Sequence, residues 1–344
     1  MQLTDEHKMI RKMVREFAEA EVKPVAQQID ETCEFPWETV KKMGELGLLG
    51  MPFPEELGGG GGDTLGYTIG VEEVSRVCGS TGITMAAHTS LGCYPIFDSG
   101  TEEQKKKYLP DIASGRKLAG FGLTEPNAGS DAGATETTAV RDGDHYVLNG
   151  TKCFITNAST AETFVVTTMT DREKGTSGIS AFILEKGMPG FKPGKKESKL
   201  GVCGSDTGEL IFEDCRVPAE NLLGKAGEGF KVFLRTLDGG RISIGAMALG
   251  IAQGALDYAI SYTKERTQFG KPIFSFQGLQ WMMADMATQV EAARQLTYKA
   301  AAMFEKVPKN LDRLSKDMIR ASAMAKLYAA DTAMKVTIDA VQLL

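Results

Sequence analysis

The sequence predicts an α+β protein: an N-terminal all-α domain over 1–119, a middle β-barrel-like domain over 120–224 and a C-terminal helical bundle over 225–344. Three observations predict it. Apolar residues recur every three or four positions through the first third. From about Gly120 the period falls toward two and β-formers accumulate. Beyond Gly227 helical periodicity returns in segments too long for ordinary surface helices.

In the N-terminal third, Leu3, Ile10, Met13, Val14, Phe17 and Val22 align on one helix face. Trp37, Val40, Met43 and Leu46 form a second face, closed by Gly47. Pro52-Phe53-Pro54 and the five glycines Gly58 to Gly62 then interrupt the chain. Helical periodicity resumes from Ile69 to Val77 and again before Gly100, and a charged helix starts at Glu102.

The middle third reads as short strands between turns. Val140 to Val147 forms a hairpin around an Asp142-Gly143 turn. Phe164 to Met169, Ile179 to Leu184 and Glu209 to Phe212 are further strands. In the last third one long helix runs from Gly227 to about Lys264, stopped by Phe269-Gly270-Lys271-Pro272. A second runs from about Phe276 to Glu305 and a third from about Leu311 onward. Gly245, Ala246, Ala248 and Gly250 would let neighbouring backbones approach closely.

Composition narrows the function classes. The chain has 344 residues, 42% hydrophobic and 24% charged, with a net charge of −6. That acidic balance argues against nucleic-acid binding. No uninterrupted apolar run reaches the ~18 residues of a membrane span, and the polar start lacks a signal-peptide core. The expected setting is the cytoplasm of a bacterium or an organelle matrix. His7, His88 and His145 are too scattered for a metal site. Cys33, Cys78, Cys93, Cys153, Cys203 and Cys215 form no C-x-x-C pair, so reduced structural thiols are expected and no metal.

Neither a G-x-G-x-x-G after a strand nor a P-loop occurs. The Gly58 to Gly62 run is a flexible turn or, less readily, a phosphate loop lacking its lysine. Four other segments could carry chemistry. Phe121 to Asp131 is rich in hydroxyls and free N–H groups; it is a plain turn or a nest for anions and carbonyl oxygens. In Gly150 to Asn157, Phe154 beside hydroxyls either fills a core or stacks on a planar ring. In Lys264 to Gly270, with Gln277 following, Arg266 either complements a helix end or binds a diphosphate. In Leu237-Asp-Gly-Gly-Arg241, two glycines within a helix cost about 1 kcal/mol each against alanine. Close packing or a ligand must offset that, and Asp238 and Arg241, three apart, form a local ion pair or face a ligand.

These segments, in this order, resemble the acyl-CoA dehydrogenase flavoproteins along the whole chain. The resemblance rests on Thr124-Glu-Pro-Asn-Ala-Gly-Ser-Asp131, Asn149-Gly-Thr-Lys-Cys-Phe-Ile-Thr-Asn157, Phe212-Glu-Asp-Cys-Arg-Val-Pro218 and Arg266-Thr-Gln-Phe-Gly-Lys271. Each is weak alone; the ordered set is specific. His88-Thr-Ser-Leu91 with Pro95-Ile96 adds similarity to the bacterial short-chain, butyryl-CoA type.

The resemblance implies a four-helix C-terminal domain, with FAD between it and the middle domain. It implies flavin contacts from Phe121, Leu123 and Thr124, with Thr124 at the N1/O2 edge. Gly129 and Ser130 would lie near the flavin and the CoA phosphates. Phe154, Ile155 and Thr156 would supply the stacking aromatic and the N5/O4 hydroxyl; many members have Trp where this chain has Phe154. Arg266, Phe269 and Gln277 would reach the FAD of a neighbouring subunit in a homotetramer. Asp238 and Arg241 would line the acyl-CoA channel, and Gln342 would begin a flavin-contacting turn.

The implied reaction removes the α-proton and β-hydride of a short-chain acyl-CoA, as in β-oxidation of fatty acids, and passes electrons to an electron-transferring flavoprotein. No arginine lies between His88 and Tyr94, which disfavours a dicarboxylic acyl group.

One element departs from the family pattern. The Tyr-Glu-Gly-Thr-like motif that carries the general base is absent, and the position used by some other members is Gly240. The sequence stops at Val341-Gln-Leu-Leu344 within an apolar helical pattern, so the base is expected beyond Leu344. The alternatives are a same-fold oxidase or desulfinase that lacks this Glu, and a flavin-free scaffold for CoA esters.

Overall fold

The computed structural model describes residues 2–308 and 314–344. The chain begins with α1 (Asp5–Phe17), which a wide turn over Ala18–Val22 joins to α2 (Lys23–Thr32). Thr4 starts α1 because its hydroxyl accepts from the His7 N–H while the His7 ring faces the Thr4 N–H, a reciprocal cap. The His7 Nε2 is 2.9 Å from an Asp63 carboxylate oxygen, and Asp63 in turn caps α4 (Thr64–Ser75). Val14, Phe17 and Val22 are buried as expected, but Met13 is exposed. In α3 (Trp37–Glu45), Val40 and Met43 are buried while Trp37 and Leu46 face solvent, so the inward face is narrower than the sequence suggested. Gly47 ends this segment at φ 71°, the left-handed conformation glycine adopts without strain.

Helix α4 is buried on all sides from Leu65 to Ser75, which is why it shows no polar stripe. It is followed by α5 (Gly79–Ala87), a wide turn over His88–Cys93, α6 (Tyr94–Ser99) and α7 (Glu102–Ala113).

The β-domain is one sheet. Its strands are β1 (Ala119–Gly122), β2 (Thr138–Asp142), β3 (His145–Thr156), β4 (Thr163–Met169), β5 (Ile179–Glu185), β6 (Phe191–Lys196), β7 (Thr207–Pro218) and β8 (Leu222–Leu223). The order is β6-β7-β3-β2-β4-β5-β8, with β1 parallel to β4. Sequence periodicity missed β1 and β6, because glycines and lysines blur the alternation there. The β2–β3 hairpin turns one residue later than expected, at Gly143-Asp144 between paired Asp142 and His145, with Gly143 at φ 61°.

The C-terminal region contributes α8 (Gly229–Glu265), α9 (Gln277–Phe304) and α10 (Lys316–Leu343) among the described residues. The expected helix start near Leu311 lies outside the described residues. Between α8 and α9, β9 (Thr267–Gln268) and β10 (Lys271–Pro272) form a small hairpin. Its loop residues Phe269 and Gly270 both have positive φ, as a type I′ turn requires.

Helix α8 runs through the middle of the molecule, packing on α4, α5, α9 and α10. By length and composition it could cross a membrane; half of its most apolar stretch is buried inside the protein. An added Cβ at Gly250 would stand 2.3 Å from the Glu72 carbonyl oxygen, which explains the small residue there. The α4 carboxylates knit the helices together. Glu72 receives Arg294 Nε at 3.0 Å and the Tyr298 hydroxyl, while Glu73 receives Arg15.

Candidate active site

A cavity of about 170 Å³ opens where β1, β3, the His88–Cys93 turn and α8 meet. Phe121, Leu123, Thr124, Phe154, Ile155 and Thr156 all line it, joined by Leu91 and Leu237. Six residues singled out from two separate sequence segments thus surround one space. The chain brings them together because β1 runs parallel to β4 while β3 passes behind the loop that leaves β1. The Cys153 N–H donates to the Thr124 carbonyl at 2.9 Å, fastening loop to strand.

Two residues that sequence reasoning did not single out hold this loop. The Lys152 ammonium is fully buried and donates to the Leu123 carbonyl at 3.2 Å, to Glu125 Oε1 at 2.6 Å and to Thr167 Oγ1 at 3.0 Å. Glu125 also accepts from the Glu136 and Thr137 N–H groups. Burial pushes the Lys152 pKa down to about 8, against the pull of Glu125. Burial also opposes the Glu125 carboxylate, but Lys152 and the N–H donors outweigh it and hold its pKa below the usual range. The available signal was a lysine within a strand otherwise alternating toward a core.

The aromatic of β3 is not in a core. Pairing with β7 slips between Lys152 and Ile155, and Phe154 takes φ 58°. This bulge turns the ring outward, leaving it 65% exposed between buried Cys153 and buried Ile155. A non-glycine residue at positive φ is strained, and such strain clusters at functional sites. The segment is over-determined just beyond: Asn157 Nδ2 donates to the Ala119 carbonyl, and Asp206 accepts from the Ser159 and Thr160 N–H groups. The Thr124 and Thr156 hydroxyls have no hydrogen-bond partner among the described residues, so they remain available to a ligand. Phe121 stacks on Phe233 of α8 at 4.0 Å, fixing its ring from behind.

The wall facing the sheet is apolar. Leu91 packs on Gly240, where a Cβ would stand 2.8 Å from Leu91 Cδ2. At Gly239 a Cβ would stand 2.9 Å from the Phe304 ring. Close packing therefore accounts for both mid-helix glycines. A second cavity of about 390 Å³ is lined by Ser90, Tyr94, Phe97, Gly239, Ser243 and Phe304, among others.

The other candidates lie outside the first cavity. Asp238 and Arg241 form the local ion pair on α8. Burial raises the Asp238 pKa, with Arg241 opposing. Gly129 and Ser130 are exposed on the loop after Glu125, with open space around Gly129. Arg266, Phe269 and Gln277 are exposed around the β9–β10 hairpin, Phe269 at 91%. Gln342 is exposed in the last turn of α10. No carboxylate is among the residues lining the cavity.

The glycine run is a packed turn: a Cβ at Gly59 would stand 2.2 Å from the Phe53 carbonyl oxygen. No cluster of three or more His, Cys, Asp or Glu suited to a metal exists among the described residues.

Comparison with known proteins shows the family. The acyl-CoA dehydrogenase N-terminal, middle and C-terminal domain models match residues 4–116, 120–215 and 227–344. The chain is 57% identical over 342 residues to the short-chain specific acyl-CoA dehydrogenase of Clostridium acetobutylicum, covering 99% of this chain and 88% of that protein. Butyryl-CoA dehydrogenase from Megasphaera elsdenii superposes with a TM-score of 0.95 at 45% identity, covering 100% of this chain and 88% of that one. A chain of the structure described as the electron transferring flavoprotein of Acidaminococcus fermentans gives a TM-score of 0.95 at 55% identity, with the same coverage. The chain belongs to the acyl-CoA dehydrogenase family.

Proposed function

We propose that the cavity between β1, β3 and α8 receives the isoalloxazine ring of FAD. The observation that carries this is the convergence of Phe121, Leu123, Thr124, Phe154, Ile155 and Thr156 on one space. The residues fit the group: an outward aromatic offers a stacking face, and two unpartnered hydroxyls offer donors and acceptors to a heteroatom-rich edge. Thr124 would serve the N1/O2 edge and Thr156 the N5/O4 edge. Gly129, Ser130 and Gln342 complete the proposed flavin contacts.

The chain is an acyl-CoA dehydrogenase, catalysing α,β-dehydrogenation of a short-chain acyl-CoA to the trans-2-enoyl-CoA. FAD is the cofactor and, when bound, supplies the hydride acceptor. The protein's own part is orientation and exclusion of water. Leu91, Leu237 and Ala87 give the reacting carbons an apolar wall, where hydrogen bonds to a developing enolate gain strength. Ser130, Asp238 and Arg241 are proposed to hold the CoA portion, the Asp238–Arg241 pair opening to do so. No cavity-lining residue is assigned the proton abstraction. The electrons pass to an electron-transferring flavoprotein, a reading supported by the Acidaminococcus fermentans structure.

A homotetramer is proposed, with Arg266, Phe269 and Gln277 reaching the FAD of a neighbouring subunit. Their exposure supports this, as does the apolar stripe of Met324, Leu327, Met334, Ile338 and Val341 along α10. Bacterial cytoplasm or an organelle matrix is the proposed setting.

Titrating the purified protein with FAD while following the flavin spectrum tests the site. Saturable binding lost in T124A/T156A supports it; a protein that binds no FAD rejects it. A panel of short to medium acyl-CoAs with an artificial acceptor tests substrate choice. Light scattering tests assembly, a flavin-loaded monomer being the rejecting result.

A further inference from the structure

Four of the six cysteines, Cys78, Cys93, Cys153 and Cys215, are buried. The remaining two meet across a domain boundary. Cys33 ends α2 in the left-handed conformation, φ 57°, with its side chain exposed. Cys203 lies on the loop between β6 and β7, partly exposed; its thiol donates to the Lys199 carbonyl at 3.7 Å, and the Cys33 thiol donates to the Asp30 carbonyl at 3.8 Å.

Geometry around both cysteines puts the two segments together. Lys196 Nζ donates to the Cys33 carbonyl at 2.9 Å. A Cβ at Gly204 would stand 3.1 Å from the Glu34 carbonyl oxygen and 1.9 Å from Ile29 Cγ2. The residue after each cysteine therefore lies against the other's segment. The loop is also anchored elsewhere: the Gly204 N–H donates to Ser80 Oγ at 3.3 Å, and Asp206 holds the 157–160 turn that follows Thr156.

We propose that Cys33 and Cys203 are a redox-sensitive pair that a hydroperoxide converts to a disulfide, stapling the N-terminal helices to the β-domain. The sulfur of exposed Cys33 attacks a peroxide oxygen. The O–O bond breaks, giving Cys33 sulfenic acid and one water when the oxidant is hydrogen peroxide. The Cys203 sulfur then attacks the sulfenic sulfur, forming S–S and releasing a second water from the broken S–O bond. Two thiols lose two electrons and the peroxide gains them. Partial burial, then the neighbouring Cys33 and Asp30, raise the Cys203 thiol pKa, which suits the second, resolving role. Bond formation requires the sulfurs to close to about 2.05 Å by side-chain rotation, which the exposed position of Cys33 allows. The reduced thiols expected from the sequence are the other state of this pair.

The test treats the intact protein with hydrogen peroxide and follows mass, peptide map and melting temperature. The expected result is loss of two hydrogen masses, a peptide joining Cys33 to Cys203, and a rise in melting temperature. Dithiothreitol reverses all three, and C33S and C203S each abolish them. Cys33 sulfinic acid without the cross-link, the same mass loss in C203S, or dimers joined through Cys33 would overturn the proposal. A cross-link that leaves the melting temperature unchanged would overturn the staple.

Discussion

Lys152 Nζ stands 2.6 Å from Glu125 Oε1, and both side chains are almost wholly removed from solvent. The pair lies behind the loop whose other side lines the cavity. The same ammonium also bonds the Leu123 carbonyl. Charge, hydrogen bonding and loop shape are therefore one arrangement rather than three.

Removing the ammonium should be expensive. K152M leaves Glu125 buried without its counter-charge, and breaking such a pair costs about 3–5 kcal/mol. Urea unfolding should show this, and K152M/E125Q should lose less than the sum of the single variants. Flavin affinity should fall with K152M, because Leu123 loses its clamp.

Phe154 should separate binding from folding. Its ring is mostly exposed, so F154A should leave the unfolding midpoint nearly unchanged. Loss of an aromatic stack worth about 0.5–1.5 kcal/mol should weaken FAD binding roughly twofold to tenfold, read by flavin titration.

His88 should give the protein an acid-sensitive joint. Its ring is buried between the Ile112 carbonyl, 2.9 Å from Nε2, and the Ala119 N–H, which donates to Nδ1 at 3.0 Å. Burial lowers its pKa to about 4, despite the Ile112 hydrogen bond. Above the ordinary value of about 6.5, neither the folded nor the unfolded chain carries the proton, and the contribution is complete. As pH falls toward 4 the unfolded chain binds a proton that the folded chain refuses. Stability should drop by roughly 3 kcal/mol across that window. Unfolding measured against pH should show this slope, and H88Q should flatten it.

Two glycines of α8 should respond differently to alanine. At Gly250 the new methyl meets a backbone carbonyl that cannot move aside, so G250A should destabilise by about 1–3 kcal/mol despite better helix propensity. At Gly240 it meets only the end of Leu91, which can rotate. G240A should therefore fold normally, push Leu91 toward the cavity and raise the KM for acyl-CoA in steady-state assays.

Much of this was legible in the residues. Helix periodicity located α1, α8 and α9, because an amphipathic repeat is a local property that a helix buried on one side displays. The six cavity residues were named through the family resemblance, which their two short stretches carry. Exposure at Met13, Trp37 and Leu46 was not legible, since a neighbour's width decides how much of a helix face is covered. The outward turn of Phe154 was hidden for a related reason: it follows from a register slip against β7, a strand some fifty positions away. Gly239 and Gly240 announced close packing or a ligand, and only Phe304 and Leu91 decided for packing. Lys152 with Glu125, and Cys33 with Cys203, are pairs of distant residues whose meeting depends on how the domains close on one another. The sequence by itself determined most of the helices and several of the strands, and through its family resemblance the residues proposed to serve a flavin. The tertiary structure decided which of them face one cavity and which charges and thiols are neighbours, because contacts between distant positions leave no trace in local periodicity.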